Sequence, residues 1–270
     1  MSFALPLEYT EIGEAPKPFL KWAGGKSQLL DQFAPYVPRE FGHYHEPFTG
    51  SAAVFWFLFT LKSKGELNFG SSRLTDSNAE LINCYEVVRD DVLQLIEKLR
   101  NHRDKHEKDY YYQIRALSNR EMSKAERAAR FIYLNKTCFN GLYRVNRAGK
   151  FNVPVGSYQN PGIFDERTLL AANKALQDVM LQIADFRDVV HHAKKGDFIY
   201  FDPPYAPLSK TSSFTGYTSD QFGPTEQEAL ALTYSELDKI GCKVMLSNSW
   251  VEEIQKLYKG YNCIEVKASR

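Results

Sequence analysis

Cysteine is scarce and scattered: Cys84, Cys138, Cys242 and Cys263 are the only four in 270 residues, and no CxxC pair occurs. That spacing excludes a zinc-ligand set and a disulfide framework, and it points to a reducing compartment. The opening MSFALPLEYTEIGE carries acids and lacks a basic-then-apolar leader, so a cytoplasmic location is expected. Long apolar runs are missing too. The longest, Ala52–Leu61, covers about half of the roughly 20 residues that cross a bilayer. Charge of one sign is not in excess, with 34 Lys+Arg against 33 Asp+Glu. No global field therefore draws the chain to polyanions, and any nucleic-acid affinity must come from a local patch. No GxGxxG follows the first apolar strand, which argues against a nicotinamide dehydrogenase.

What is present is an ordinary globular composition, 43% hydrophobic and 25% charged, which disfavours disorder and coiled coil. Five short apolar runs end in polar residues: Tyr44–Glu46, Arg73–Asp76, Met180–Asp185, Phe198–Asp202 and Lys243–Asn248. Helical patterns at Ser51–Lys62, Asn78–Val88, Gln227–Ile240 and Val251–Tyr258 alternate with them. This is the signature of an α/β fold with an open parallel sheet. In such sheets ligands bind beyond the carboxyl ends of the strands, so these strand-end residues should face one crevice.

From about Asp90 to Leu170 the rhythm stops. Asp91–His102 and Ala125–Leu134 are amphipathic, and Cys138–Pro161 is rich in Asn, Gly, Pro, Arg and Tyr. Between Arg144 and Gln159 the charges are Arg144, Arg147 and Lys150, with no acid. An inserted, mainly helical domain over 90–169, with a basic loop or hairpin, is expected between two halves of a catalytic domain, 1–89 and 170–270.

Asp202-Pro203-Pro204-Tyr205 follows the strand FIYF. The prolines stiffen the turn and keep the chain extended. The result is a rigid rim with a carboxylate, free carbonyls and an aromatic face, suited to a planar ring bearing an NH2 group. Phe19–Lys26 (FLKWAGGK) brings a glycine pair before a helix, able to present amides to an anion, although an ordinary Gly-rich loop reads the same way. Glu46-Pro47-Phe48-Thr49-Gly50-Ser51-Ala52 is a strand-to-helix turn of small residues. Asp76, ending the next strand, is placed to accept from ribose hydroxyls. Asp185 with Phe186 suits an adenine, but Asp185 serves equally as a helix N-cap.

In this order, FLKWAGGKSQLL, EPFTGSAAVF, LTDSNAELINCY, NGLYRVNRAGKFNVPVG and YFDPPYAPLSKTSSFTGY resemble the Dam family of DNA adenine-N6 methyltransferases, alpha group, nearest the Dam-like methylases of Dpn type systems. The likeness covers nearly the whole chain. It implies a Rossmann-like methyltransferase sheet, S-adenosyl-L-methionine (SAM) as cofactor, double-stranded DNA as partner, GATC as target, and a monomer without metal or obligate protein partner. Trp22, Ala23, Gly24 and Lys26 fall where the family contacts SAM. By the same likeness Glu46–Ala52 would hold the amino-acid part of SAM and Asp76 its ribose, while Asp185 and Phe186 remain the strand-end candidates for its adenine. Asp202 and Pro203 would hold the target amino group, with Pro204 stiffening the rim and Tyr205 stacked on the flipped base. Phe139 would insert beside the target pair. Asn140, Leu142, Arg144, Asn146, Lys150 and Pro154 would line the DNA surface, Arg144 reading a guanine.

Three departures stand out. FxGxG reads Phe48-Thr49-Gly50-Ser51-Ala52, without its second glycine, and Ser51 is expected to be small enough for SAM. Ser157 replaces a basic residue usual after NVPVG. The chain stops at Arg270, after a strand-like Cys263–Ala268, so either irregular pairing of Asn262–Ala268 or a longer native chain is expected. Ser209–Gln221 is expected to form a lid over DNA. Alternatives are an amino-methyltransferase for cytosine N4 or RNA, and a DNA-binding module with impaired catalysis.

Overall fold

The computed structural model describes residues 15–206 and 222–267; the expected lid, Ser209–Gln221, lies outside the described residues. Five strands form one sheet: β1 (Tyr44–Glu46), β2 (Ser72–Asp76), β3 (Val179–Ile183), β4 (Phe198–Phe201) and β5 (Lys243–Leu246). Their order is β3-β2-β1-β4-β5 and every pairing is parallel. The chain runs outward on one side and then returns to the other side of β1. The switch point therefore falls between β1 and β4, where Glu46 and Asp202 emerge.

β4 shows why these runs become strands. Phe198 and Tyr200 enter a large cluster on one face, while Ile199 and Phe201 enter a second cluster with Phe186, Leu230 and Leu237 on the other. A strand buried on both faces reads as a continuous apolar run. The helices are α1 (Leu30–Phe33), α2 (Ala53–Ser63), α3 (Ala79–Asp90), α4 (Val92–Asp104), α5 (Lys108–Ala116), α6 (Lys124–Thr137), α7 (Glu166–Leu176), α8 (Pro224–Ile240) and α9 (Glu252–Leu257). Local chemistry starts and stops them. The Asn78 side chain caps α3, Ser123 and Glu126 form a capping box on α6, and Gly241, at φ 90°, ends α8. No helix among the described residues is long and apolar enough to cross a membrane.

The residues between 90 and 169 are helical, as expected, but they share a core with the sheet side. Leu95, Leu99, Ile132 and Leu134 belong to the same cluster as Tyr44 and Leu74. Arg144–Asn152 forms a hairpin: Val145 bridges Phe151, and the amide of Asn146 bonds the carbonyl of Lys150 at 2.8 Å. The strand expected over Cys263–Ala268 is absent from its described part. Asn262–Lys267 joins no ladder, and β5 is the edge among the described residues. The alternating pattern found no neighbouring strand. Among the described residues Gln32 grips Lys267, bonding its amide and carbonyl at 3.2 and 3.0 Å.

Candidate active site

The DPPY rim projects from the end of β4, and its braces are visible. The buried Gln227 of α8 donates to the Pro204 carbonyl at 3.1 Å and accepts from Asn248 Nδ2 at 2.9 Å. Among the described residues no backbone amide bonds the Pro203 carbonyl. Asp202 faces Lys26, whose Nζ lies 2.6 Å from both carboxylate oxygens. Oδ1 is buried and makes no hydrogen bond despite that closeness. The same ammonium bonds the Gly24 carbonyl and sits 4.7 Å from the centre of the Tyr205 ring, which is 43% exposed. Burial pushes the Asp202 carboxyl up to about 6, with Lys26 opposing that rise.

Glu46, at the end of β1, is buried at 3% exposure. It accepts from the Tyr44 hydroxyl at 2.8 Å and faces the first turn of α2 at Phe55. Burial pushes it up to about 8, so it is mostly protonated at neutral pH. The turn that follows is tightly pinned. The Gly50 amide bonds Asp76 Oδ2 at 3.2 Å, and the Gly50 and Ser51 carbonyls accept from Tyr85 and from the Trp56 indole. Asp76 also accepts from the Asn78 amide at 2.9 Å, and burial raises its pKa. A Cβ on Gly50 would come within 2.8 Å of Trp22, so glycine is what lets the Trp22–Lys26 loop lie against this turn.

The missing second glycine of FxGxG matters at Ala52, not at Ser51. Ala52 is held left-handed at φ 53°, whereas Ser51 is not among the positive-φ residues. That conformation costs an L-residue about 1–2 kcal/mol. Ala52→Gly is therefore expected to raise stability by roughly 0.5–1 kcal/mol, net of glycine's added unfolded-state freedom. Urea denaturation checks this, and a lowered midpoint would contradict it.

Asp185 is the N-cap of a short 3-10 turn, Phe186–His191, with both carboxylate oxygens 3.0 Å from Arg187 Nη1. Phe186 stacks on Phe48 at 5.4 Å under the Arg187 guanidinium. On the opposite side of the Trp22 loop, Phe139 and Leu142 stand 49% and 36% exposed. The Phe139 amide bonds the Pro154 carbonyl at 2.9 Å, so those two expected DNA contacts are neighbours. Asn140 is left-handed at φ 53°. Arg144 is oriented by Asn152, with Nε 2.7 Å from Oδ1. Asn146 spends its Oδ1 on the amides of Ala148 and Lys150, both at 3.0 Å, and so shapes the hairpin tip. Lys150 is exposed beside it.

The sequence reading missed Gln227, Asn135 and Tyr143. Gln227 was seen only as a helix start. Asn135 lies just past the apolar pattern that ended at Leu134, and a buried Asn one residue on was the available signal.

A parallel five-stranded sheet with a carboxylate-lined crevice at its switch point and a Pro-Pro-Tyr rim is a Rossmann-like α/β fold with its candidate site at the carboxyl ends of the strands. The family model for D12 class N6 adenine-specific DNA methyltransferases matches residues 22–270. A type II methyltransferase of Methanocaldococcus jannaschii is 46% identical over 270 residues, covering 94% of this chain and 92% of the relative. A type II methyltransferase of Lactococcus lactis subsp. cremoris is 42% identical, covering 94% and 88%. A DNA adenine methylase of Haemophilus influenzae is 37% identical, covering 94% and 87%. The chain belongs to the D12 class N6 adenine-specific DNA methyltransferases, and it is an adenine-specific DNA methyltransferase.

Proposed function

We propose that the protein transfers the methyl group of SAM to N6 of an adenine flipped out of duplex GATC, with residues 90–169 serving as target-recognition insert and 1–89 with 170–270 as catalytic domain. It would act as a cytoplasmic monomer. The observation that carries this reading is the largely buried Asp202 carboxylate, held by Lys26, with the Pro203 carbonyl next to it on one rim. Two acceptors side by side match the two N–H bonds of an exocyclic amine.

The residues present fit SAM. Its amino-acid part would meet Glu46 and the turn after it, and its ribose hydroxyls the spare lone pairs of Asp76. Trp22, Gly24, Lys26 and the turn 46–52 would enclose it, with Phe186 and Asp185 toward its base. When bound, SAM supplies a methyl group on an electrophilic sulfonium. The chain's own residues do the rest. Asp202 and the Pro203 carbonyl accept the N6 hydrogens, localise the nitrogen lone pair and aim it; positioning and electrostatics then suffice. The Asp202 carboxylate can hold the proton released after transfer. Flipping costs a few kcal/mol, and stacking on Tyr205 returns roughly 1–3 kcal/mol. Phe139 would fill the vacated stack.

Asp202 must be ionised to accept. Below about pH 6 it is protonated, so kcat/KM is expected to fall about tenfold per pH unit there and to level off above. Lys26→Met removes the cation that holds this pKa down, and the acid limb should move to higher pH. A limb that stays in place or moves down would contradict the Lys26–Asp202 coupling. The function itself is tested by plasmid protection, with and without SAM, against endonucleases that differ in sensitivity to adenine methylation within GATC. SAM-dependent protection from the methylation-sensitive enzyme alone is expected; none at any site would overturn the reading.

A further inference from the structure

We infer that Asn135 and Tyr143 are positioning residues that join cofactor loading and base reading into one linked equilibrium. The inference rests on the proposed function, since it takes the Trp22 loop as the cofactor side and Phe139–Arg144 as the DNA side.

Asn135 sits near the end of α6 with 1% exposure. A polar residue there gains little from the helix itself, yet its carboxamide is almost fully used. Oδ1 accepts from the Lys21 amide at 2.8 Å, while Nδ2 donates to the Lys21 carbonyl at 2.7 Å and to the Gly141 carbonyl at 3.1 Å. Lys21 is the residue before Trp22. Gly141, at φ 63°, belongs to the turn that presents Phe139 and Leu142. The two segments touch, since a Cβ on Gly141 would come within 2.5 Å of Lys21 Cβ. One buried side chain thus bolts the cofactor loop to the reading turn.

Tyr143 makes a second bolt. It lies between Leu142 and Arg144 but points inward. Its ring stacks on Trp22 at 5.9 Å and 21° and packs tilted against Phe131 at 5.1 Å. Its hydroxyl faces the side chain of Asn78, whose amide is held by Asp76. Trp22 and Asp76 are two of the groups expected around the cofactor. The backbone that presents Leu142 and Arg144 to DNA therefore rests on the cofactor's own walls. A ligand that orders those walls narrows the range of the reading turn. Linkage then requires DNA to raise cofactor affinity by the same factor that cofactor raises DNA affinity.

The test uses the full chain, S-adenosylhomocysteine as a non-reactive cofactor probe, and a duplex carrying the methylated site. Kd is measured for each ligand alone and in the presence of the other. The wild type is expected to show a coupling factor of roughly 5–150, equal in both directions. In Asn135→Ala the factor should fall to within twofold of one, with each separate Kd changed less than fivefold and a folded thermal melt retained. An unchanged factor overturns the inference. So does loss of both separate affinities in step with the melt, which is what a merely structural role gives. Should Asn135→Ala fail to fold, Tyr143→Phe decides: it keeps the ring stack, loses the hydroxyl that faces Asn78, and is expected to lower the factor at least threefold, no change being the contrary result. A wild type that methylates DNA but shows no coupling also overturns the inference. A wild type that methylates no duplex removes the proposed function instead.

Discussion

Replacing Asp202 by asparagine is expected to reduce methyl transfer by roughly 10³-fold or more while cofactor and DNA still bind. The carboxylate is the acceptor that aims the amino group, and losing one such preorganised electrostatic group costs about 10²–10³ in rate. Asparagine presents an NH2 where an acceptor is needed, and it cannot take up the released proton. Alanine abolishes activity as well, but it is the poorer probe. It would leave the Lys26 ammonium, 4% exposed, with the Gly24 carbonyl and the Tyr205 ring but no carboxylate among the described residues. Breaking a buried ion pair in this way costs about 3–5 kcal/mol, so lost activity could reflect lost fold. Asparagine keeps the shape and an oxygen for Lys26. Single-turnover methylation with saturating SAM and duplex is the measurement. Substantial activity in Asp202→Asn would remove Asp202 from the chemistry. Tyr205→Ala should lower the rate severely and weaken retention of the flipped base, because its exposed ring is the stacking platform.

Arg144→Ala is expected to relax preference for the guanine it reads by roughly 5–150-fold, the equivalent of about 1–3 kcal/mol for a bidentate arginine–guanine pair. Asn152 holds Nε of this guanidinium, and the remaining nitrogens have no protein partner among the described residues. The fork is thus aimed before DNA arrives. Total binding should fall less than discrimination. Lys150→Ala should instead weaken all duplexes alike and flatten the salt dependence, as a phosphate contact does. Competition between cognate and near-cognate duplexes separates the two. Discrimination unchanged in Arg144→Ala would put the reading residue elsewhere.

The five strands and the DPPY rim were legible because their signals are local. An apolar run ending in an acid or a proline pair says where a strand stops and what it presents. The order β3-β2-β1-β4-β5 then brought Glu46, Asp76 and Asp202 to one edge of the sheet. The Lys26–Asp202 pair was not legible, since its partners are 176 residues apart and nothing in either motif demands the other. Asn135 was hidden for the same reason: its three bonds reach 114 residues back to Lys21 and forward to Gly141. The strand expected at Cys263–Ala268 shows the opposite failure. Its alternation was real, but a strand also needs a neighbour. The left-handed Ala52 lay beyond a reading that weighed side-chain size rather than backbone angle.

The central claim is that this crevice methylates adenine N6 in duplex DNA. The most direct test is to incubate the purified chain with methyl-labelled SAM and matched substrates: a GATC duplex, the same duplex with the adenine replaced, and an RNA of the same sequence. The products are then digested to nucleosides and separated. Label in N6-methyladenosine of the GATC duplex alone, as the deoxynucleoside, is the expected result. Label in N4-methylcytosine or in the RNA, or no transfer to the duplex, would contradict it.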